Sequence, residues 1–189
     1  MQEIRKIVIL GPESTGKSTL CEQLATHYNT VWCPEFAREY LLTHGTKYTF
    51  TDLLVIAKGQ VALEEQFVSK AIEQWETTGR KTAWPILFED TDMHVMKVWC
   101  EYVFGKSHSY VEEKIAESSA DLYLLCNTDL PWVKDELREY PDVERREELY
   151  DIYKKMLINE NVRWTSISGS YEERLLNAVK ATDDLLNAD

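Results

Sequence analysis

Ile7-Val8-Ile9-Leu10-Gly11-Pro12-Glu13-Ser14-Thr15-Gly16-Lys17-Ser18-Thr19-Leu20 carries an apolar run, a glycine turn and the start of a second patterned run without a break. Ile4 to Leu10 reads as a buried strand and Ser18 to Tyr28 as the helix after it. Between them, Gly11 to Ser18 matches GxxxxGK[ST] in full and in the strand–turn–helix context the motif requires. Glycines let the backbone wrap closely around an anion, so that successive N–H groups point at phosphate oxygens. The helix adds the positive end of its dipole. Lys17 is then placed to bridge the β- and γ-phosphates of ATP, and the Ser18 hydroxyl to hold Mg²⁺. Gly11, Glu13, Ser14, Thr15, Gly16 and Thr19 complete the expected phosphate cradle. The alternative, a glycine turn that merely joins strand to helix, does not call for the complete motif.

Outward from this stretch, Thr30 to Cys33 reads as a second short strand and Phe36 to Thr43 as a helix. Thr51 is the expected N-cap of a long helix reaching about Thr77, with Leu53, Ile56, Ala57, Val61, Phe67, Val68, Ala71, Ile72 and Trp75 on its apolar stripe and Gly79 as the stop. Ile86 to Phe88 forms a third strand, followed by a helix from about Met93 to Phe104. Leu122 to Cys126 and Arg163 to Ile167 supply the fourth and fifth strands. Ser170 and Glu173 have capping-box spacing for a last helix through about Leu186. This alternation predicts an α/β fold, a five-stranded, mostly parallel sheet flanked by helices, as one domain over 1–189. Ligands of such sheets gather beyond the carboxyl ends of strands, so the chemistry is expected just after Leu10, Cys33, Phe88 and Cys126.

Unusual residues stand at those places. Glu89-Asp90-Thr91-Asp92 crowds carboxylates at one strand end, which calls for a cation or hydrogen-bond donors. Mg²⁺ beside the phosphate loop meets that need, and one carboxylate can accept a substrate hydroxyl proton. Asp90 is assigned to metal or base work and Asp92 to substrate hydroxyls, with a plain helix N-cap as the other reading of Asp92. Glu35 and Arg38 lie three residues apart, able to hold a sugar hydroxyl and an acidic or phosphate group, or to form a solvated ion pair. Asn127 to Val143 is long for a connection and contains Pro131, Trp132, Asp135, Arg138 and Pro141. A lid over about 127–146 is expected there, with Arg138 closing on the transferred phosphoryl group. Arg145 and Arg146 read either as lid arginines or as helix-surface residues. Gly169, after the fifth strand, permits close approach of a flat adenine base or is simply a turn residue. Trp32, Trp99 and Tyr102 are candidates for a ring that stacks on a substrate, or equally for the core.

The 33 acidic and 21 basic side chains give a formal charge of -12, which argues against nonspecific binding to nucleic acid or to an anionic membrane. No apolar run approaches the roughly 18 residues that span a bilayer. With no signal-like start, a cytoplasmic location is the default expectation. Cys21, Cys33, Cys100 and Cys126 are widely spaced without a CxxC pair and read as buried free thiols.

Taken in order, GPESTGKSTL, WCPEFAREYL, YTFTDLLVIAKGQ, FEDTDMHVMKVW, NTDLPWVKDELR and SGSYEERL resemble the ribosylnicotinamide kinase domain of NadR-type proteins, within the P-loop nucleoside kinase group. The resemblance implies a mobile lid and transfer of the ATP γ-phosphoryl group to the 5′-hydroxyl of nicotinamide riboside, giving nicotinamide mononucleotide. It implies that Lys17 and Ser18 bind phosphate and Mg²⁺, that Asp90 and Asp92 handle metal and ribose, and that Arg138 and Arg145 belong to the lid. Glu35, Arg38 and Gln60 would lie near the nucleoside. Many such proteins carry an adenylyltransferase domain with an HxGH motif. His27, His44, His94 and His108 form no such motif, so the second step to NAD is expected to need another protein. A kinase for another nucleoside or nucleotide and a nucleotide-binding switch are the competing readings. The missing NKxD element weighs against a GTPase-type switch.

Overall fold

Among the described residues the sheet is built from β1 (Arg5–Leu10), β2 (Trp32–Cys33), β3 (Ile86–Asp90), β4 (Leu122–Cys126) and β5 (Trp164–Ile167). The strands lie in the order β2-β3-β1-β4-β5, and every neighbouring pair is parallel. The computed structural model describes residues 3–117, 120–138 and 140–188. Of the single domain expected over 1–189 and the lid expected over 127–146, residues 1, 2, 118, 119, 139 and 189 lie outside that description.

The alternation along β1 assigns its two faces. Ile7 and Ile9 face a layer containing α1 (Lys17–Tyr28) and α7 (Tyr171–Leu186), together with Phe88, Leu124 and Ile167. Val8 and Leu10 face the opposite layer with Tyr123 and Leu125, covered by α4 (Met93–Phe104) and α6 (Val143–Asn159). Strands covered on both sides read as continuous apolar runs, and β3 and β4 are buried along their whole length. At the β2 edge, α3 (Phe50–Thr77) packs on Cys33 and Leu87 through Ala71. Its N-terminal half builds a satellite core with α2 (Phe36–His44), α4 and α5 (Ser109–Glu117) around Ala37, Ile56, Met96 and Val111.

Some elements differ from expectation, β2 among them, which is only Trp32–Cys33. The cap of α3 is Thr49, not Thr51: Asp52 N–H donates to Thr49 Oγ1 at 3.3 Å, while Asp52 Oδ2 accepts the Thr49 N–H at 2.7 Å. Only that register satisfies both orphan groups reciprocally. β3 continues past Phe88 through Glu89 and Asp90, because Val8 and Ile9 of β1 hold them in register. α5 was not anticipated; it buries only Val111 and so leaves little apolar periodicity to read. Cys21, Cys33, Cys100 and Cys126 are buried free thiols, and among the described residues no helix is long and apolar enough to cross a membrane.

Candidate active site

The loop from Gly11 to Gly16 turns where β1 meets α1. Gly11 has φ 138°, and a Cβ there would stand 2.7 Å from the Cys126 carbonyl oxygen, so only glycine lets β1 leave the sheet beside β4. Gly16, at φ 79°, caps α1 without any side-chain hydrogen bond, and the first turn of α1 holds no acidic residue. The N–H groups at that helix end are therefore left to an anion. Within the loop, Thr15 Oγ1 donates to the Pro12 carbonyl at 2.7 Å and Lys17 Nζ donates to the same oxygen at 2.9 Å.

Ser18 donates its hydroxyl hydrogen to Asp90 Oδ2. Asp90 is 2% exposed, and its other oxygen, Oδ1, has no hydrogen-bond partner among the described residues. Burial pushes the Asp90 carboxyl above its ordinary range, while the Lys17 charge and the Ser18 hydroxyl pull it back. A hydroxyl and a half-satisfied carboxylate beside the phosphate loop are hard oxygen donors suited to Mg²⁺. Thr91 follows in the left-handed region at φ 83°, a conformation that strains a β-branched residue, and its buried Oγ1 also lacks a partner.

From the loop a cavity of about 620 Å³ runs between α2, α4 and α6. Trp32, Tyr48, Trp99, Tyr102, Tyr140 and Tyr153 give it aromatic walls, and Glu35 and Asp135 join Glu13 and Asp90 as its acids. Glu35 occupies the N-cap position of α2. Burial chiefly, and then the nearby Asp90 charge, raise its carboxyl to about 7 against the pull of Lys17 and Arg38.

The segment between β4 and α6 is fastened to the loop. Glu13 Oε1 accepts from Trp132 Nε1 at 3.3 Å and from the Tyr140 N–H at 2.6 Å, and Ser14 Oγ accepts the Val133 N–H at 2.9 Å. The buried Arg146 of α6 donates to the carbonyls of Ser14, Thr128 and Leu130 at 3.2–3.3 Å. From α7, the buried Arg174 donates to the carbonyls of Gly169 (2.8 Å), Thr15 (3.0 Å) and Asn127 (3.0 Å) and pairs with Asp129. Two buried guanidiniums thus clamp the loop from two helices; Arg174 is offset by its pair with Asp129, whereas the Arg146 Nε has no partner among the described residues.

Of the residues singled out in the sequence, Gly11, Glu13, Ser14, Thr15, Gly16, Lys17, Ser18, Thr19, Glu35, Arg38, Asp90 and Arg138 all line this one cavity. Arg38 also makes a two-pronged pair with Asp135, at 3.0 and 3.3 Å, and Arg138 donates to the Val133 carbonyl. Asp92, Gln60, Gly169 and Arg145 are not among the lining residues. Asp92 caps α4, accepting from His94 N–H (2.9 Å) and Val95 N–H (3.3 Å), so its helix-cap reading describes it. Gln60 is buried in α3 and bonds backbone. Gly169 gives its N–H to Asp129 Oδ2 at 2.5 Å, and the cavity wall there is Tyr171 instead. Arg145 lies over the Tyr140 ring, 5.7 Å from its centroid.

Sequence reasoning missed Arg174, whose surroundings in YEER look like a solvated helix face, and it left Arg146 undecided. A signal for Arg146 was present: Arg146, Leu149, Tyr153 and Leu157 recur at helical spacing and are the buried face of α6.

A family model described as "AAA domain" matches residues 6–174. The "Trifunctional NAD biosynthesis/regulator protein NadR" of Escherichia coli (strain K12) is 30% identical over 188 residues, 97% of this chain and 43% of the relative. The protein of the same name from Salmonella typhimurium (strain LT2) is 29% identical over the same shares. The chain therefore spans less than half the length of these curated relatives. Among solved structures, NadR protein in complex with NR superposes with a TM-score of 0.76 at 21% identity, covering 98% of this chain and 52% of the other. A thymidylate kinase from Ehrlichia chaffeensis superposes with 0.61 at 16% identity, covering 95% and 98%. At these identities the superpositions show a shared fold.

Proposed function

The chain belongs to the AAA domain family, and from that premise we propose that it is an ATP- and Mg²⁺-dependent kinase whose acceptor is nicotinamide riboside. The observation that carries this reading is a single cavity holding Lys17, Ser18 and Asp90 at its phosphate loop and Glu35 among aromatic walls beyond it. The NadR relatives, and the NadR structure solved with NR, support the choice of acceptor. So does charge: nicotinamide riboside carries a cationic pyridinium ring, which suits acids and ring faces.

In the proposed reaction the acceptor's 5′-hydroxyl oxygen bonds to the γ-phosphorus, and the bond from that phosphorus to the bridging oxygen of ADP breaks. The hydroxyl proton passes to Glu35, whose carboxyl is poised near neutrality. Lys17 and the free N–H groups of α1 offset charge on the phosphoryl oxygens, and Arg138 closes from the β4–α6 segment. Mg²⁺, held by Ser18 and Asp90, would supply further neutralisation of the phosphates. The strongly acidic chain supports a small-molecule partner, not a nucleic acid.

A coupled ADP-release assay with nicotinamide riboside, adenosine, cytidine, uridine and thymidine tests the reading, with product mass reporting one added phosphoryl group. We expect kcat/KM for nicotinamide riboside to exceed each neutral nucleoside by about tenfold or more. A neutral nucleoside that matches it overturns the acceptor and leaves the kinase. ADP release indifferent to every acceptor overturns both, in favour of a nucleotide switch.

A further inference from the structure

We propose that Gln60, with its neighbour Gly59, is a positioning device that holds Glu35 facing the cavity, although neither residue lines it. The proposal rests on the reading of Glu35 as proton acceptor. Gln60 is 3% exposed on the inner side of α3. Its Oε1 accepts the Phe36 N–H at 2.7 Å, and its Nε2 donates to the Pro34 carbonyl at 3.3 Å and to Cys33 Sγ at 3.6 Å. The Pro34 carbonyl and the Phe36 amide belong to the two peptide groups on either side of the Glu35 Cα. One amide side chain therefore fixes both planes whose rotation would swing the Glu35 carboxylate.

The Glu35 side chain is not spent on the helix end either. Glu35 is the N-cap residue of α2, yet it makes no side-chain cap hydrogen bond. The first N–H of the helix, an orphan donor that an N-cap side chain does not reach, is satisfied by Gln60. The carboxylate is left for the cavity. Gly59 completes the seat: a methyl group built there would overlap the Phe36 ring, so the ring of the residue after Glu35 lies directly on the α3 backbone. Glycine inside a helix is unfavourable on propensity alone, and this contact accounts for it.

The test is a double-mutant cycle in the full chain, measuring kcat and KM with ATP and nicotinamide riboside for Glu35→Gln, Gln60→Leu and the double variant. Glu35→Gln should lower kcat by about a hundredfold, as expected for loss of a general base. Gln60→Leu should lower kcat by about tenfold while the nicotinamide riboside KM stays within about threefold. Because Gln60 acts through Glu35, the double variant should be no slower than Glu35→Gln within about threefold. Gln60→Glu, which keeps the acceptor for the Phe36 N–H, should recover part of the loss, and it replaces Gln60→Leu in the cycle if that variant does not fold. Losses that multiply in the double variant overturn the positioning role and leave Glu35 as the base. A KM effect without a kcat effect makes Gln60 a substrate contact and also overturns it. Unchanged kcat in Glu35→Gln overturns the base assignment, and the proposal with it.

Discussion

Asp90 combines two properties that pull against each other, complete burial and an unpartnered oxygen at the mouth of the phosphate loop. A charge held there is destabilising to the fold, because burial disfavours ionisation more than Lys17 and Ser18 restore it. Asp90→Asn keeps the shape and the partner for Ser18 while removing that charge. We therefore expect an unchanged or higher Tm together with a loss of turnover of about a hundredfold and a weaker response of kcat to Mg²⁺. Thermal melts and a Mg²⁺ titration check both halves; a lower Tm with intact turnover contradicts the assignment. Asp90 and Lys17 could be picked out in the sequence because each stands at or just beyond the carboxyl end of an apolar strand, where such a sheet gathers its ligands. Arg174 could not, and Gln60 was reached only through the family resemblance, as a residue near the nucleoside. They act on partners 24 and 159 residues away, and nothing local to either marks it as other than a helix residue.

At the scale of elements, α6 ties two regions together. Its first turn carries Arg146 into the loop, and at its far end Glu160 meets the buried His94 of α4, Oε2 to Nε2 at 2.6 Å. His94 Nδ1 reaches Asp92 Oδ2 at 2.7 Å, and the Tyr123 hydroxyl of β4 stands 3.2 Å from the same nitrogen. Burial by itself would lower the His94 pKa, but Asp92 and Glu160 outweigh it and raise it to about 9, above the ordinary 6.5. A group whose folded pKa is raised stabilises fully below its unfolded value and loses that contribution as pH rises through the folded one. Stability from urea titrations should thus fall between pH 6.5 and 9 by at most about 3 kcal/mol, and His94→Gln should flatten the fall. An equal pH slope in both proteins rules out the coupling. The β4–α6 segment yields a kinetic prediction. Arg138→Ala should lower kcat by about tenfold or more with little change in nicotinamide riboside KM, as for a group that acts on the closed, reacting complex. An effect on KM alone, in the same steady-state assay, would make Arg138 a binding residue. That this stretch serves the site was readable from its length and its prolines. That Glu13 and Ser14 of the loop itself hold it down was not, since those pairings exist only once β1 and β4 are neighbours.

For the molecule as a whole, a formal charge of -12 surrounds a cavity for which both an anion, the nucleotide, and a cation, the pyridinium nucleoside, are proposed. The general field repels nucleotide and attracts the pyridinium nucleoside, and salt screens both effects over about 10 Å at 0.1 M. Between roughly 0.02 and 0.2 M NaCl, the KM for ATP should fall and the KM for nicotinamide riboside should rise. Parallel movement of the two constants would show that whole-molecule charge does not reach the site. The parallel α/β layering itself was legible, because the central strands carry the apolar runs Ile7–Leu10, Ile86–Phe88 and Leu122–Cys126.

The strand order has a consequence in time. β1, which bears the loop, sits at the centre of the sheet, yet Arg5 pairs with Ile86 and Ile7 with Leu122. On a ribosome, β1 emerges long before either neighbour has been translated. The Cys126 backbone that seats Gly11 and the Arg174 guanidinium that holds the Thr15 carbonyl follow later still. Such distant pairings slow collapse into the native topology. Within this domain, the first segment to be made is therefore among the last to become a working pocket.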